Sequence, residues 1–110
     1  MTTFSLSSLF FLSSVQLCFV DKAGYIQQIS QKLAETFGFN PEQLQNCAYE
    51  SLVHPEDLHL TQQALSNALF GKNSKISNRY RCHEGRYQWV TWEFSFDVAS
   101  QGLFAVAVPF

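Results

Sequence analysis

The stretch Lys75-Ile76-Ser77-Asn78-Arg79-Tyr80-Arg81-Cys82-His83, then Glu84-Gly85, then Arg86-Tyr87-Gln88-Trp89-Val90-Thr91-Trp92-Glu93-Phe94-Ser95-Phe96-Asp97, decides the fold. Both long runs alternate with period two, the repeat of a β-strand with one buried face. Ile76, Asn78, Tyr80 and Cys82 share one face of the first run; Gln88, Val90, Trp92, Phe94 and Phe96 share one face of the second. Glu84-Gly85 is a tight-turn signal, so the two runs form an antiparallel hairpin. Gln101-Gly102 then leads into a further run, Leu103–Val108.

Working outward, the period changes before Lys75. His54-Pro55-Glu56-Asp57 reads as a helix start with two acids in its first turn, where the helix dipole favours them. Leu58, Thr61, Leu65, Ala68 and Leu69 mark its inward stripe, and Gly71 ends it. Asn40-Pro41-Glu42-Gln43 starts another helix, with Asn at the cap, Pro at the first position and Gln three residues on. Ser30 caps a short helix through Thr36, stopped at Gly38. At the front, Asp21-Lys22-Ala23-Gly24 turns between two extended runs, Val15–Val20 and Tyr25–Ile29. Two strands, a helical middle and three strands make an α+β domain, with helices on one face of an antiparallel sheet.

The chain has 110 residues, one domain's worth. Its 46% hydrophobic content, with 11 Phe, 4 Tyr and 2 Trp, supplies a bulky core, and the 15% of charged residues rules out a polybasic or acidic tail. A net charge of −2 gives no electrostatic reason to expect nucleic acid or an anionic membrane as partner. Cys18, Cys47 and Cys82 are three, widely spaced, and read as reduced thiols of a cytosolic protein. The Ser-rich start, Met1 to Val20, has no basic residue before Lys22, and its apolar run is cut by Ser5, Ser7, Ser8, Ser13, Ser14 and Gln16. It fits neither a secretory signal nor a membrane span, so a cytoplasmic protein is expected.

Four stretches together resemble the PAS family, from about Leu9 to Val108. Val20-Asp21-Lys22-Ala23-Gly24-Tyr25-Ile26 looks like its first hairpin, and Ser30 through Gly38-Phe39-Asn40 like its next segment, with Ser30 where the family often has Asn. Leu52-Val53-His54-Pro55-Glu56-Asp57 looks like the lead into its longest helix, and Tyr80-Arg81-Cys82-His83-Glu84-Gly85 with Tyr87-Gln88-Trp89-Val90 like its central hairpin. The resemblance implies a five-stranded antiparallel sheet cupping a small cavity under short helices, residues 15–110; the apolar residues of the stretch before it, residues 1–14, read as an N-terminal helical cap. It implies a sensory or dimerisation module, most often joined in bacteria to a histidine kinase or a cyclic-dinucleotide enzyme. The expectation is the input module of a two-component sensor histidine kinase, a homodimer that relays ligand or partner binding to an output domain. The family's usual acidic-hydroxyl exit motif is replaced here by Val106-Ala107-Val108-Pro109-Phe110.

Cofactor chemistry finds weak footing. Asn46-Cys47 resembles the Asn-Cys pair of flavin-binding light sensors, but the chain continues Ala48-Tyr49-Glu50-Ser51 where that motif has Arg, Phe, Leu and Gln. Haem-binding relatives use a His of the long helix; His59 lies with Gln62, Gln63 and Ser66 on its solvated face, and His54 reads as a helix-start residue. The cofactor is therefore left unassigned, with none the leading reading and haem or flavin the alternatives. Cys82 and His83 are neighbours on a strand and point apart, and no CxxC or HxxxH spacing exists, so no metal site is expected. No nucleophile elbow or phosphate-cradling loop supports an active site, and the chain is not expected to be an enzyme.

Two surfaces remain. The candidate pocket lining is Ile76, Asn78, Tyr80, Gln88, Val90, Trp92 and Phe94 from the strands, with Leu33, Phe37, Leu52, Leu65 and Leu69 from the helices. Asn78, Tyr80 and Gln88 could orient a small ligand there, or bulky aromatics could fill the space. On the opposite sheet face Tyr87 and Trp89 stand beside Arg79 and Arg81, an interface composition. Phe4, Leu6, Leu9, Phe10 and Leu12 could cover that face within the chain or pair with a second copy.

Overall fold

The computed structural model describes residue 10 and residues 14–109. Five strands, β1 (Leu17–Asp21), β2 (Ile26–Ile29), β3 (Ser74–Arg81), β4 (Tyr87–Asp97) and β5 (Gly102–Pro109), form one antiparallel sheet in the order β2-β1-β5-β4-β3. Helices α1 (Gln31–Thr36), α2 (Pro41–Leu44) and α3 (Leu58–Leu69) cover one face, with two single 3₁₀ turns at Tyr49–Leu52 and Pro55–Asp57. The antiparallel sheet with short helices expected from the sequence is present.

Local chemistry places each helix. Buried Ser30 accepts the Leu33 amide at 3.3 Å as the cap of α1, and the Leu17 amide of β1 at 3.2 Å. One hydroxyl thus serves both helix and strand. Asn40 and Gln43 make the reciprocal capping box of α2, and Pro41 takes the first helical position. His54 accepts the Glu56 amide through Nδ1, so Pro55–Asp57 forms a tight 3₁₀ turn and the α-helix itself begins only at Leu58. Gly38, at φ 78°, reverses the chain after α1 in a conformation that a side chain would strain.

The connection from Asn46 to His54 ties the sheet's two edges together. At one end Asn46 donates to the Ile26 carbonyl, Ile26 to that of Cys47 and Tyr49 to that of Gly24, beside β2. At the other, Val53 bridges Tyr80 and His54 donates to the Arg79 carbonyl, on the free edge of β3. Both edges are protected from pairing with another chain along these stretches.

Strand limits differ modestly from the alternating pattern. β1 starts at Leu17 rather than Val15, and β3 ends at Arg81 rather than His83. At the hairpin tip, Cys82 donates to the Arg86 carbonyl and accepts from Gly85, while the His83 amide turns away to Phe37 of the helical layer. Of the expected N-terminal cap, Phe4, Leu6, Leu9 and Leu12 lie outside the described residues. Phe10 is buried, its ring 6.5 Å from that of Phe104 on the outer sheet face.

Candidate functional site

The residues expected to line a pocket converge, and they converge as packed core. Leu33, Phe37, Leu52, Leu65, Asn78, Tyr80, Val90, Trp92 and Phe94 are buried, and Ile76 and Gln88 are half-buried. Leu69 departs from the expectation: it is 37% exposed. The buried stripe of α3 runs through Thr61, Ala64, Leu65 and Ala68, and at about 100° per residue Leu69 falls roughly a quarter-turn from its centre. Small Ala64 carries the stripe in its place.

Tyr49, from the first 3₁₀ turn, is the large core residue that periodicity missed, since a four-residue turn has no detectable period. Its ring sits 5.3 Å from Tyr80, 5.2 Å from Trp92 and 5.8 Å from Phe94, edge-on to the last two. Phe37 closes on Tyr80 at 4.9 Å. Such pairs contribute about 0.5–1.5 kcal/mol each beyond burial. The aromatic rings occupy the space between sheet and helices.

A polar thread crosses this core. Trp92 Nε1 donates to Asn78 Oδ1 at 2.9 Å, Asn78 Nδ2 to Thr61 Oγ1 at 3.1 Å, and Thr61 Oγ1 to the Asp57 carbonyl at 2.8 Å. The Tyr80 hydroxyl donates to the Tyr49 carbonyl at 3.0 Å. The Tyr49 hydroxyl, with Asn78 beside it, has no hydrogen-bond partner among the described residues. Burial pushes both phenols well above their ordinary value and the Cys18 thiol up to about 12. All three are neutral at physiological pH.

Asp57 was legible only as a helix-start acid. In the fold it is buried and grips Arg79 through both carboxylate oxygens, at 2.9 and 2.8 Å, and takes the Arg79 backbone amide at 2.8 Å. Glu56 meets the same guanidinium at 3.0 Å, and the guanidinium lies 5.1 Å over the Trp89 ring. Hydrogen bonds from Arg79 hold the Asp57 carboxyl below its ordinary value. The helix start is thereby clamped to β3.

On the outer face, Tyr87 and Trp89 are exposed as expected, in register with Arg81 and Arg79 of β3. Val106 and Val108 of β5 are exposed as well, with Val108 opposite Thr91. The β5 valines were not singled out by the sequence, because a short apolar run does not declare which face is covered.

The concave spaces open at the margins. A cleft of about 490 Å³ lies between the hairpin tip and the helical layer, walled by Phe39, Leu44 and Leu52 on one side and Arg81, Cys82 and His83 on the other. A smaller groove of about 340 Å³ adjoins it around Gly38, His83 and Glu84. Of the expected pocket residues only Leu52 lines the larger cleft and Phe37 the smaller. Cys47 stands in the larger cleft, its Sγ donating to the Gln43 carbonyl at 3.3 Å. His59 is exposed on α3 and His54 serves as the cap described above. Among the described residues no helix is long and apolar enough to cross a membrane.

No curated protein matches the sequence at a significant level. Among solved structures, the PAS domain of an HTR-like protein from Haloarcula marismortui superposes with a TM-score of 0.73 at 16% identity, covering 96% of this chain and 94% of that one. The PAS-B domain of Drosophila melanogaster Cycle, with bound ethylene glycol, gives 0.79 at 16% identity, covering 86% and 99%. A domain of a sensory box sensor histidine kinase/response regulator from Geobacter sulfurreducens gives 0.79 at 12% identity, covering 92% and 88%. At these identities the likeness is one of fold. The profile of the PAS fold family matches residues 26–102, from β2 to the start of β5, and the chain belongs to that family, as a PAS sensory domain.

Proposed function

We propose that this PAS domain is the input and dimerisation module of a cytoplasmic sensor histidine kinase, with catalysis residing in an output domain and none in this chain. The observation that carries the reading is the outer sheet face. Tyr87, Trp89, Val106 and Val108 lie exposed there on two adjacent strands, while the opposite face is consumed by the core. Exposed aromatics beside arginine have the composition of a protein interface. The histidine-kinase parent is supported by the fold likeness to the Geobacter sulfurreducens domain, and the cytoplasmic location by three free thiols, two of them buried. Signalling would follow from a ligand or partner that binds one arrangement of this face and the flanking helices better, shifting a pre-existing equilibrium.

Sedimentation equilibrium tests the interface. The wild-type chain is expected to dimerise and Trp89→Glu to remain monomeric with an unchanged circular dichroism spectrum; a monomeric wild type removes the dimerisation reading. A second reading, a module that binds only proteins, is favoured by the packed aromatic core. Thermal denaturation across a metabolite panel separates the two, since a ligand at about 100 times its Kd adds roughly 2.7 kcal/mol.

A further inference from the structure

The larger edge cleft has chemistry of its own. Its volume of about 490 Å³ falls in the range of small-molecule sites, about 300–1,000 Å³. Phe39, Leu44 and Leu52 make its apolar wall. Two polar residues from different elements line it, Arg81 of β3 and Gln43 of α2. Among the described residues, Arg79 is paired with Glu56 and Asp57, Lys75 with Glu93 and Arg86 with Glu84, whereas Arg81 has no acidic partner. Glu84 also lines the cleft, but its carboxylate is held by Arg86. Gln43 is oriented by the capping box: its Oε1 accepts the Asn40 amide at 2.7 Å, which leaves Nε2 as a donor.

We propose that this cleft binds a small amphipathic monocarboxylate, its carboxylate taken by the Arg81 guanidinium and the Gln43 amide and its hydrocarbon part by Phe39, Leu44 and Leu52. A guanidinium engaged in no salt bridge and an amide with only N–H left to offer both select an anionic acceptor over a donor. The apolar wall selects against fully hydrophilic anions such as phosphate. Occupancy would reach the rest of the fold through His83, whose amide donates to the Phe37 carbonyl at 2.8 Å and whose ring meets Phe39 edge-on at 5.2 Å. The site would be the sensory input if the reading of the chain as a signalling module holds, but the binding stands independently of that reading and of dimerisation.

The experiment is a titration of the full chain, uniformly labelled with ¹⁵N, with benzoate and hexanoate, using benzamide as the neutral isostere of the first. Amide shifts are expected at Arg81–Gly85 and around Gln43–Cys47, with benzamide weaker by about tenfold or more. Arg81→Ala, at an exposed position, is expected to keep the melting temperature and weaken benzoate by about tenfold. Gln43→Glu keeps the acceptor that caps α2 and replaces the donor by a charge, so benzoate should weaken there too. No shift up to about 10 mM of either acid overturns the proposal. So do equal affinities for benzoate and benzamide, an unchanged affinity in Arg81→Ala, or shifts confined to the outer face. If the acids bind as described and Trp89→Glu leaves the wild-type assembly unchanged, the cleft stands and the interface reading falls.

Discussion

Tyr49 and Tyr80 put two hydroxyls in one core under opposite circumstances, and substitution should separate them. The Tyr80 hydroxyl is satisfied by the Tyr49 carbonyl, whereas the Tyr49 hydroxyl carries a desolvation cost without a partner. Tyr80→Phe should therefore lose about 1 kcal/mol in urea denaturation, and Tyr49→Phe should be neutral or gain up to about 1 kcal/mol. A loss in Tyr49→Phe equal to that of Tyr80→Phe would show that Asn78 bonds the hydroxyl in solution. Asp57 governs the acid limb. Its folded-state carboxyl lies below the ordinary 3.8, so its contribution is present above that value and fades as the pH falls through the folded one. Asp57→Ala should cost about 2–3 kcal/mol at neutral pH, and less below about pH 4, where the wild type has itself begun to lose the pair. The thiols divide just as clearly. Burial raises Cys18 to about 12 and raises Cys82 as well, while Cys47 is only half-buried. Iodoacetamide on the native chain should label Cys47 first, and all three only in denaturant, as counted by intact-mass spectrometry.

At the scale of elements, the joints between strands and helices carry as much as the elements themselves. Gly102 begins β5 where a Cβ would sit 2.6 Å from the Val20 carbonyl oxygen and 2.4 Å from Phe19 Cζ. The backbone oxygen cannot swing aside, so Gly102→Ala should destabilise by about 1–3 kcal/mol, read as a lowered urea midpoint at constant slope. Most of the elements were legible beforehand, because Ser30, Asn40 and Pro41 are capping residues whose chemistry acts within a few positions along the chain. The long alternation of β4 likewise declared its buried face, from Val90 to Phe94. The 3₁₀ turn at Tyr49–Leu52 was not legible, since Tyr49 is held by Gly24 and Tyr80 and its flanking residues by Ile26 and Arg79, all far away in sequence. The margin of the α3 stripe was misjudged for a related reason: hydrophobicity drew Leu69 inward, while the sheet accepted the smaller Ala64 and Ala68.

For the whole molecule, the two faces of the sheet and its open edge divide the work. The helical face holds a buried aromatic core, the outer face presents Tyr87, Trp89 and the β5 valines, and the edge beside the hairpin tip keeps a cleft. Phe10, seated by Phe104, shows that at least part of the segment before β1 returns to the outer face. Assembly and small-molecule binding are thus separable in this fold: Trp89→Glu addresses the outer face, and Gln43→Glu, on α2, addresses the cleft.

What the amino-acid sequence determined by itself is whatever depends on neighbours a few positions apart: strand period, caps, turns, the order of elements, and with them the α+β class and the resemblance to PAS domains. It also placed Trp89 and Tyr87 outside and Asn78, Tyr80 and Trp92 inside. Only the tertiary structure decided that those inward residues, joined by Tyr49, pack into one core, that Asp57 is a buried partner of Arg79, and that Gln43 and Arg81, 38 positions apart in the chain, line one cleft. Void and pairing are properties of packed volume and of contacts between distant segments, and neither has a period that a sequence can display.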